Sequence, residues 1–125
     1  MITQVETIAV YVRDQDRALS FFVEQLGFEL RKDVSMTSAT EGPRWIEVVP
    51  IEAETVLALA TPPGLEDRIG RSLALGFQCD DIHAAASALK SRGVEFTQDP
   101  TEIPPGWWAA FDDPDGNHFG LSQSS

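Results

Sequence analysis

The stretch DDPDGNHFGL, residues 112–121, decides the fold of this chain. Its first half predicts a tight turn, because Pro114 presets φ near about −65°, Asp115 can hydrogen-bond to its own backbone and Gly116 accepts a positive φ. The apolar segments on either side of the turn predict two strands. The stretch therefore predicts a β-hairpin near the C-terminus. We expect the second strand of this hairpin to form one wall of a ligand site.

Upstream of the hairpin, the chain repeats the element order of its first half. An alternating strand, a helix with apolar residues at helical spacing and three further strands are predicted twice. Gly27 ends the first predicted helix and Gly93 ends the second. Residues 99–106, which contain three prolines, predict a loop before the hairpin. The repeated order predicts an α+β fold of two tandem β-α-β-β-β modules.

The segment 62–70, with its prolines and glycines, predicts a linker between modules 1–61 and 71–125. The whole chain, residues 1–125, has the length of a single domain. Neither module alone could bury both faces of its sheet. We therefore expect the two curved, mixed sheets to pack together around a shared cleft lined by small side chains.

The composition excludes several classes of function. The formal net charge of −11 argues against nucleic acid and against a membrane surface as partners, because both need a basic face. No apolar run approaches the roughly 20 residues of a membrane helix, and the N-terminus does not resemble a signal peptide. Cys79 is the single cysteine, which excludes an internal disulfide and fits a reducing cytoplasm. We expect a cytoplasmic protein.

The order and spacing of four motifs resemble the vicinal oxygen chelate superfamily. This superfamily contains glyoxalase I, extradiol dioxygenases, fosfomycin-resistance enzymes and bleomycin-binding (bleomycin resistance) proteins. The resemblance covers nearly the whole chain and implies the glyoxalase-like fold, which hosts several chemistries. The matching segments are Tyr11-Val12-Arg13-Asp14 with the helix through Phe22, then Leu26-Gly27-Phe28, Arg92-Gly93-Val94 and the Asp-Pro-Asp-Gly turn at 112–117.

Enzymes of that superfamily usually hold a divalent metal with His and Glu side chains on four strands. The resemblance places these positions at Thr7, Ala58, Ser72 and Gly120. None of the four is a usual metal ligand, since alanine and glycine carry no donor and metal sites need several His, Asp, Glu or Cys side chains. We therefore expect no metal site and no cofactor.

Two titratable residues are candidates for catalysis. His118 shares a strand face with Gly120, where it could bind a carboxylate, act as a base or ligate a displaced metal. The alternative interpretation is that His118 is a partly solvated histidine at the end of a strand. Glu47, between apolar neighbours, could serve as an acid or base in the cleft, or could lie on a solvated face.

Aromatic and small polar residues complete the predicted ligand-binding set. Large flat rings in a cleft stack on aromatic ligands, although adjacent Trp107 and Trp108 must point to opposite sheet faces, so at least one belongs to the core. In the alignment of the two halves, Trp45 corresponds to Trp107. The full set of predicted ligand-binding residues is Thr7, Tyr11, Trp45, Glu47, Ser72, Trp107 and His118.

These residues support two hypotheses from different classes. The first is metal-independent binding, or sequestration, of a small aromatic or hydrophobic molecule, similar to the bleomycin-binding members. The second is a lyase, isomerase or dioxygenase-like enzyme with a displaced or degenerate metal site, or with acid–base catalysis by His118 and Glu47. Enzyme activity is left open. Because members of the superfamily commonly pair modules across two chains, the resemblance also implies a homodimer.

Overall fold

A computed structural model describes the chain except for residues 37–41, 62, 72–74 and 125. The strands are β1 (Thr7–Tyr11), β2 (Glu29–Ser35), β3 (Arg44–Val49), β4 (Val56–Ala60), β5 (Leu75–Gln78), β6 (Phe96–Ile103), β7 (Gly106–Asp112) and β8 (His118–Gln123). The helices are α1 (Gln15–Ser20), which continues as a π-helix (Phe21–Gln25), and α2 (Ile82–Ser91), with a short 3₁₀-helix at Glu66–Arg68. The predicted α+β order of two β-α-β-β-β modules is confirmed.

The chain divides into two compact units, Met1–Ile69 and Gly70–Ser125, which we call the first and second modules. Each contains a mixed four-stranded sheet, in the order β1-β4-β3-β2 in the first module and β5-β8-β7-β6 in the second. In both, the first strand pairs in parallel with the fourth, and the remaining pairs are antiparallel. The helix between the first two strands makes this parallel pairing possible.

Both helices begin at an aspartate, as their sequences indicate. Asp14 precedes α1 and its side chain accepts a hydrogen bond from the Arg17 backbone N–H at 3.1 Å. Asp81 does the same for the Ala84 N–H at the start of α2, also at 3.1 Å. Each cap satisfies one of the amide donors that the first turn of a helix leaves without a partner. Among the described residues, no helix is long and apolar enough to cross a membrane.

The predicted loop over residues 99–106 is wrong for most of its length. Strand β6 continues to Ile103, and only Pro104 and Pro105 separate it from β7. The prolines suggested a loop because proline has no backbone N–H group to donate to a neighbouring strand. However, the β6–β7 register shifts between Gln98 and Thr101, and Pro100 lies in that irregular segment, where regular pairing is already interrupted. The strand therefore accommodates this proline.

The turn between β7 and β8 is held by the buried pair Asp113 and Asn117. Asp113 Oδ1 accepts from the backbone N–H groups of Asp115 at 2.9 Å and Asn117 at 2.8 Å, and its Oδ2 accepts from Asn117 Nδ2 at 2.9 Å. Burial raises the pKa of the Asp113 carboxyl, against the lowering effect of these hydrogen bonds. Asn117 Oδ1 also accepts from the Gly70 N–H at 3.1 Å. The turn residues thus fix where β8 begins.

Candidate functional site

In the second module, one sheet face packs against α2 and the other does not. Trp107 lies on the helix side, since its ring is edge-on to the His83 ring of α2 with centroids 4.7 Å apart. Phe111, of the same parity in β7, stacks with Phe77 on that side. We call the opposite side of each sheet the helix-free face. In the second module it carries Gly120, His118 and Trp108, because β7 and β8 pair Trp108 with Ser122 and Ala110 with Gly120.

The Trp108 indole occupies the space directly above Gly120. A β-carbon built on Gly120 would lie 1.9 Å from Cη2, 2.5 Å from Cζ2 and 2.7 Å from Cζ3 of that ring. No side chain larger than a hydrogen fits at residue 120 while the ring stays where it is. Gly76 on the neighbouring strand, the register partner of Gly120, differs in this respect. A β-carbon built on Gly76 would have no atom within 4 Å.

The alignment of the two halves that matched Trp45 with Trp107 is wrong by one residue, as the strand registers show. Glu47 pairs with Ala58 in the first module, and Ala110 pairs with Gly120 in the second, so Glu47 corresponds to Ala110. Two residues earlier, Trp45 corresponds to Trp108. Trp107 is on the other side of its sheet from His118. The correct alignment could have been read from the sequence. Alternate residues of a strand share a face, and counting back from the turn two residues at a time places Trp108 on the face of Gly120.

In the first module, Ile46 and Val48 of β3 are fully buried, so strand alternation places Trp45 and Glu47 together on the opposite, helix-free face. Trp45 Nε1–H donates to Glu47 Oε2 at 2.7 Å, so that the carboxylate is held beside the indole. Ala58 lies between Glu47 on β3 and Ala9 on β1 in the same cross-strand row. Methyl groups form the floor of this row, and the Trp45 ring and the Glu47 carboxylate stand beside it. The arrangement offers an apolar surface with one hydrogen-bond acceptor.

Thr7 lies on β1 two residues before Ala9 and shares its face. Its Oγ1 is buried and, among the described residues, it is the one buried side-chain oxygen or nitrogen that has no hydrogen-bond partner. A buried hydroxyl without a partner costs free energy, and such groups are found where a ligand or water completes the site. Tyr11 follows Ala9 on the same face. Ser72, the remaining small polar residue of the predicted set, lies outside the described residues.

His118 lies at the exposed beginning of β8. Its side chain is 68% exposed, and its Nδ1 is in hydrogen-bond contact with the carboxylate of Asp112, its register partner on β7. The structure thus gives His118 an acidic neighbour that the sequence analysis did not name. This is the arrangement of a solvated histidine at a strand end, held by a single carboxylate.

The residues at the predicted metal positions do not fit a divalent ion. Thr7 offers one hydroxyl, Ala58 offers no donor, and the space at Gly120 is filled by the Trp108 ring. Across the residues that the structure describes, no three His, Cys, Asp or Glu side chains are grouped so as to hold a metal. Metal sites of this kind require several such donors at bonding distance. We derive no catalytic step through a metal.

A separate depression lies in the first module beside the start of α1. It has a volume of about 530 Å³ and a rim of mostly polar residues: Arg13, Asp14, Gln15, Asp16, Gly42, Pro43, Arg44, Thr61, Pro63 and Glu66. Arg44 forms ion pairs with the carboxylates of Asp16 and Asp33, at 2.8 and 3.0 Å, and these carboxylates raise its pKa. None of the predicted ligand-binding residues that the structure describes lines this depression. Because Arg44 is already paired with two carboxylates, it offers little to an anionic ligand.

The chain matches one protein family over nearly its whole length. A sequence model of the Glyoxalase/Bleomycin resistance protein/Dioxygenase superfamily matches residues 4–121. Among curated proteins, the uncharacterized protein YetH of Bacillus subtilis (strain 168) is 36% identical over 125 residues, covering 98% of this chain and 100% of YetH.

Solved structures of similar proteins have the same fold. One is TnmS3, an antibiotic binding protein from Streptomyces sp. CB03234, which is 38% identical with a TM-score of 0.80, covering 99% of this chain and 98% of TnmS3. Another is a member of the same superfamily from Sphaerobacter thermophilus DSM 20745, 35% identical with a TM-score of 0.85, covering 98% of each chain. Similar proteins therefore include one described as binding an antibiotic.

Proposed function

Because the chain belongs to the glyoxalase/bleomycin resistance protein/dioxygenase superfamily, we propose that it binds a small aromatic or hydrophobic molecule without using a metal. The observation that carries this proposal is the Trp108 ring over Gly120. The superfamily's enzymes are expected to place a metal ligand at this position, and this chain places an aromatic surface there instead.

The ligand-binding surface that we propose consists of the helix-free faces of the two sheets. In the first module these residues are Thr7, Tyr11, Trp45 and Glu47, and in the second they are Trp108 and His118. Trp108 replaces Trp107 in the set, because Trp107 packs against His83 on the helix side. Indole rings supply large contact areas at low entropic cost, and a few polar groups among them set orientation. The similarity to TnmS3, an antibiotic binding protein, supports a role in sequestration.

Titration with neutral aromatic dyes tests this proposal. Nile red, a flat aromatic ketone, and N-phenyl-1-naphthylamine both gain fluorescence when they leave water for an apolar site. We expect saturable binding of both dyes to the folded chain and loss of the signal when the protein is unfolded in urea. If neither dye binds saturably, the proposed function is wrong.

We also propose that the chain forms a homodimer, as the superfamily resemblance implies. Light scattering during size-exclusion chromatography should then give a mass of twice 13.7 kDa. A single species of 13.7 kDa at all concentrations would contradict the dimer. That outcome would leave the ligand proposal standing, because each module carries its own helix-free face.

A further inference from the structure

We propose that Trp108 selects the ligand of the second module and that its preferred ligand is a flat apolar ring bearing an oxygen acceptor. Gly120 is the positioning residue that allows the Trp108 indole to lie against the sheet. This inference rests on the proposed function and specifies the chemistry of its ligand.

The position of the ring depends on the absence of a side chain at residue 120. Three carbons of the six-membered ring of Trp108 come within 2.7 Å of the place where a β-carbon of residue 120 would be. Real β-carbons do not make contacts this short, and indole is too rigid to yield at its far end alone. Any larger residue at position 120 must therefore move the whole ring.

The three indoles differ in what is left for a ligand to contact. Trp45 has its N–H engaged by Glu47, and Trp107 has its ring packed edge-on against His83. Trp108 is partly exposed, and within the described part of the chain its side chain forms neither a hydrogen bond nor a ring contact. Its backing by Gly120 leaves the outer side of the ring and the N–H group for a ligand.

The free N–H group sets the polar requirement on the ligand. A ligand that covers the ring displaces the water that hydrates this donor, and a covered donor without an acceptor costs free energy. A carbonyl or ether oxygen at the edge of the ligand ring would restore the bond. A ring without such an oxygen gains only the apolar contact. The geometry therefore favours an aromatic ketone over a hydrocarbon-like ring of similar size.

Matched tryptophan variants and two dyes test this inference. Trp108→Phe keeps an aromatic ring and removes only the indole N–H and part of the area. We expect it to weaken Nile red, which has a ketone oxygen, by about fivefold, the effect of one hydrogen bond. Binding of N-phenyl-1-naphthylamine, which has no oxygen, should change by less than about twofold, since no bond to the donor is lost. Trp107→Phe, the control, should leave both dyes within about twofold of the parent.

A glycine variant provides the second arm. Gly120→Ala should weaken both dyes because it displaces the ring. Circular dichroism melts establish that each variant is folded. If the parent chain binds the dyes but Trp108→Phe and Gly120→Ala bind them equally well, this inference is overturned and the proposed function stands. If the parent chain binds neither dye, both are overturned.

Discussion

Thr7 is the residue at which binding and stability conflict. Its Oγ1 is buried without a partner among the described residues, at a position where the superfamily's enzymes are expected to hold a metal. Proteins often retain such destabilising groups where a ligand uses them. The hydroxyl is therefore expected to reduce stability in the free protein and to be satisfied in the complex.

Thr7→Val should accordingly raise the free energy of unfolding by about 1 kcal/mol, since it replaces an unsatisfied hydroxyl with a methyl group of similar size. Urea denaturation measures this change. Thr55→Val is the control, because Thr55 Oγ1 is exposed and donates to the Val5 carbonyl oxygen at 3.4 Å, and it should not stabilise the chain. A loss of stability in Thr7→Val would show that the hydroxyl has a partner.

Cys79 is a second residue whose chemistry depends on its surroundings. Burial raises the pKa of its thiol, and the neighbouring charges of Asp80 and Asp81 raise it further. A thiol with a raised pKa has less thiolate at a given pH, and thiolate is the reactive form. The half-buried thiol of Cys79, one residue after β5, is therefore expected to be unreactive.

Cys79 should therefore react with Ellman's reagent more slowly than free glutathione at pH 8, and the rate should rise with increasing pH beyond the range where glutathione levels off. Asp80→Asn removes one of the two charges and should speed the reaction. Asp81 is unsuitable for this comparison because it caps α2. Rates equal to those of glutathione across the whole pH range would contradict the raised pKa.

At the scale of elements, the β7–β8 hairpin supports the second module's helix-free face. The paired glycines Gly76 and Gly120 lie side by side on β5 and β8, yet only Gly120 has an indole above it. Gly120→Ala should destabilise the chain by about 1–3 kcal/mol, the usual cost of overpacking. Gly76→Ala should be neutral or stabilising by up to about 1 kcal/mol, because alanine loses less backbone entropy on folding. Thermal unfolding of the two variants measures the difference, and equal effects would contradict the position of the Trp108 ring.

The hairpin, both helices and the repeated element order could be predicted because each is encoded locally. The Asp-Pro-Asp-Gly turn needs only its own residues, and Asp14 and Asp81 cap their helices within one turn. The extent of β6 could not be predicted, since Pro100 is tolerated through a register shift that depends on the partner strand. The pairing of Asp112 with His118 likewise follows from the register of two strands.

The side of the sheet on which each tryptophan lies could be predicted only in part from the sequence. Alternation requires Trp107 and Trp108 to face opposite ways, but it does not say which side α2 covers. The contact of Trp107 with His83 settles this, and it involves residues far apart in sequence. The missing metal donors, in contrast, are visible in the sequence because alanine and glycine have none.

At the scale of the whole molecule, we propose that this superfamily member contacts its ligand with aromatic rings where the superfamily's enzymes are expected to have metal donors. The net charge of −11 acts against anionic partners and does not hinder a neutral aromatic ligand. Two sheets of the same order give the chain two related helix-free faces, each with one tryptophan in the equivalent place.

The most direct test of metal-independent binding is the dissociation constant of Nile red, measured on one preparation of the chain before and after exhaustive dialysis against a chelator. Metal analysis of both samples confirms the removal, and zinc, nickel, iron(II) and manganese are then added back separately. If binding is independent of metal, as we propose, the dissociation constant should be the same within about twofold in every sample. Loss of dye binding on dialysis, with recovery on adding one of these metals, would contradict metal-independent binding.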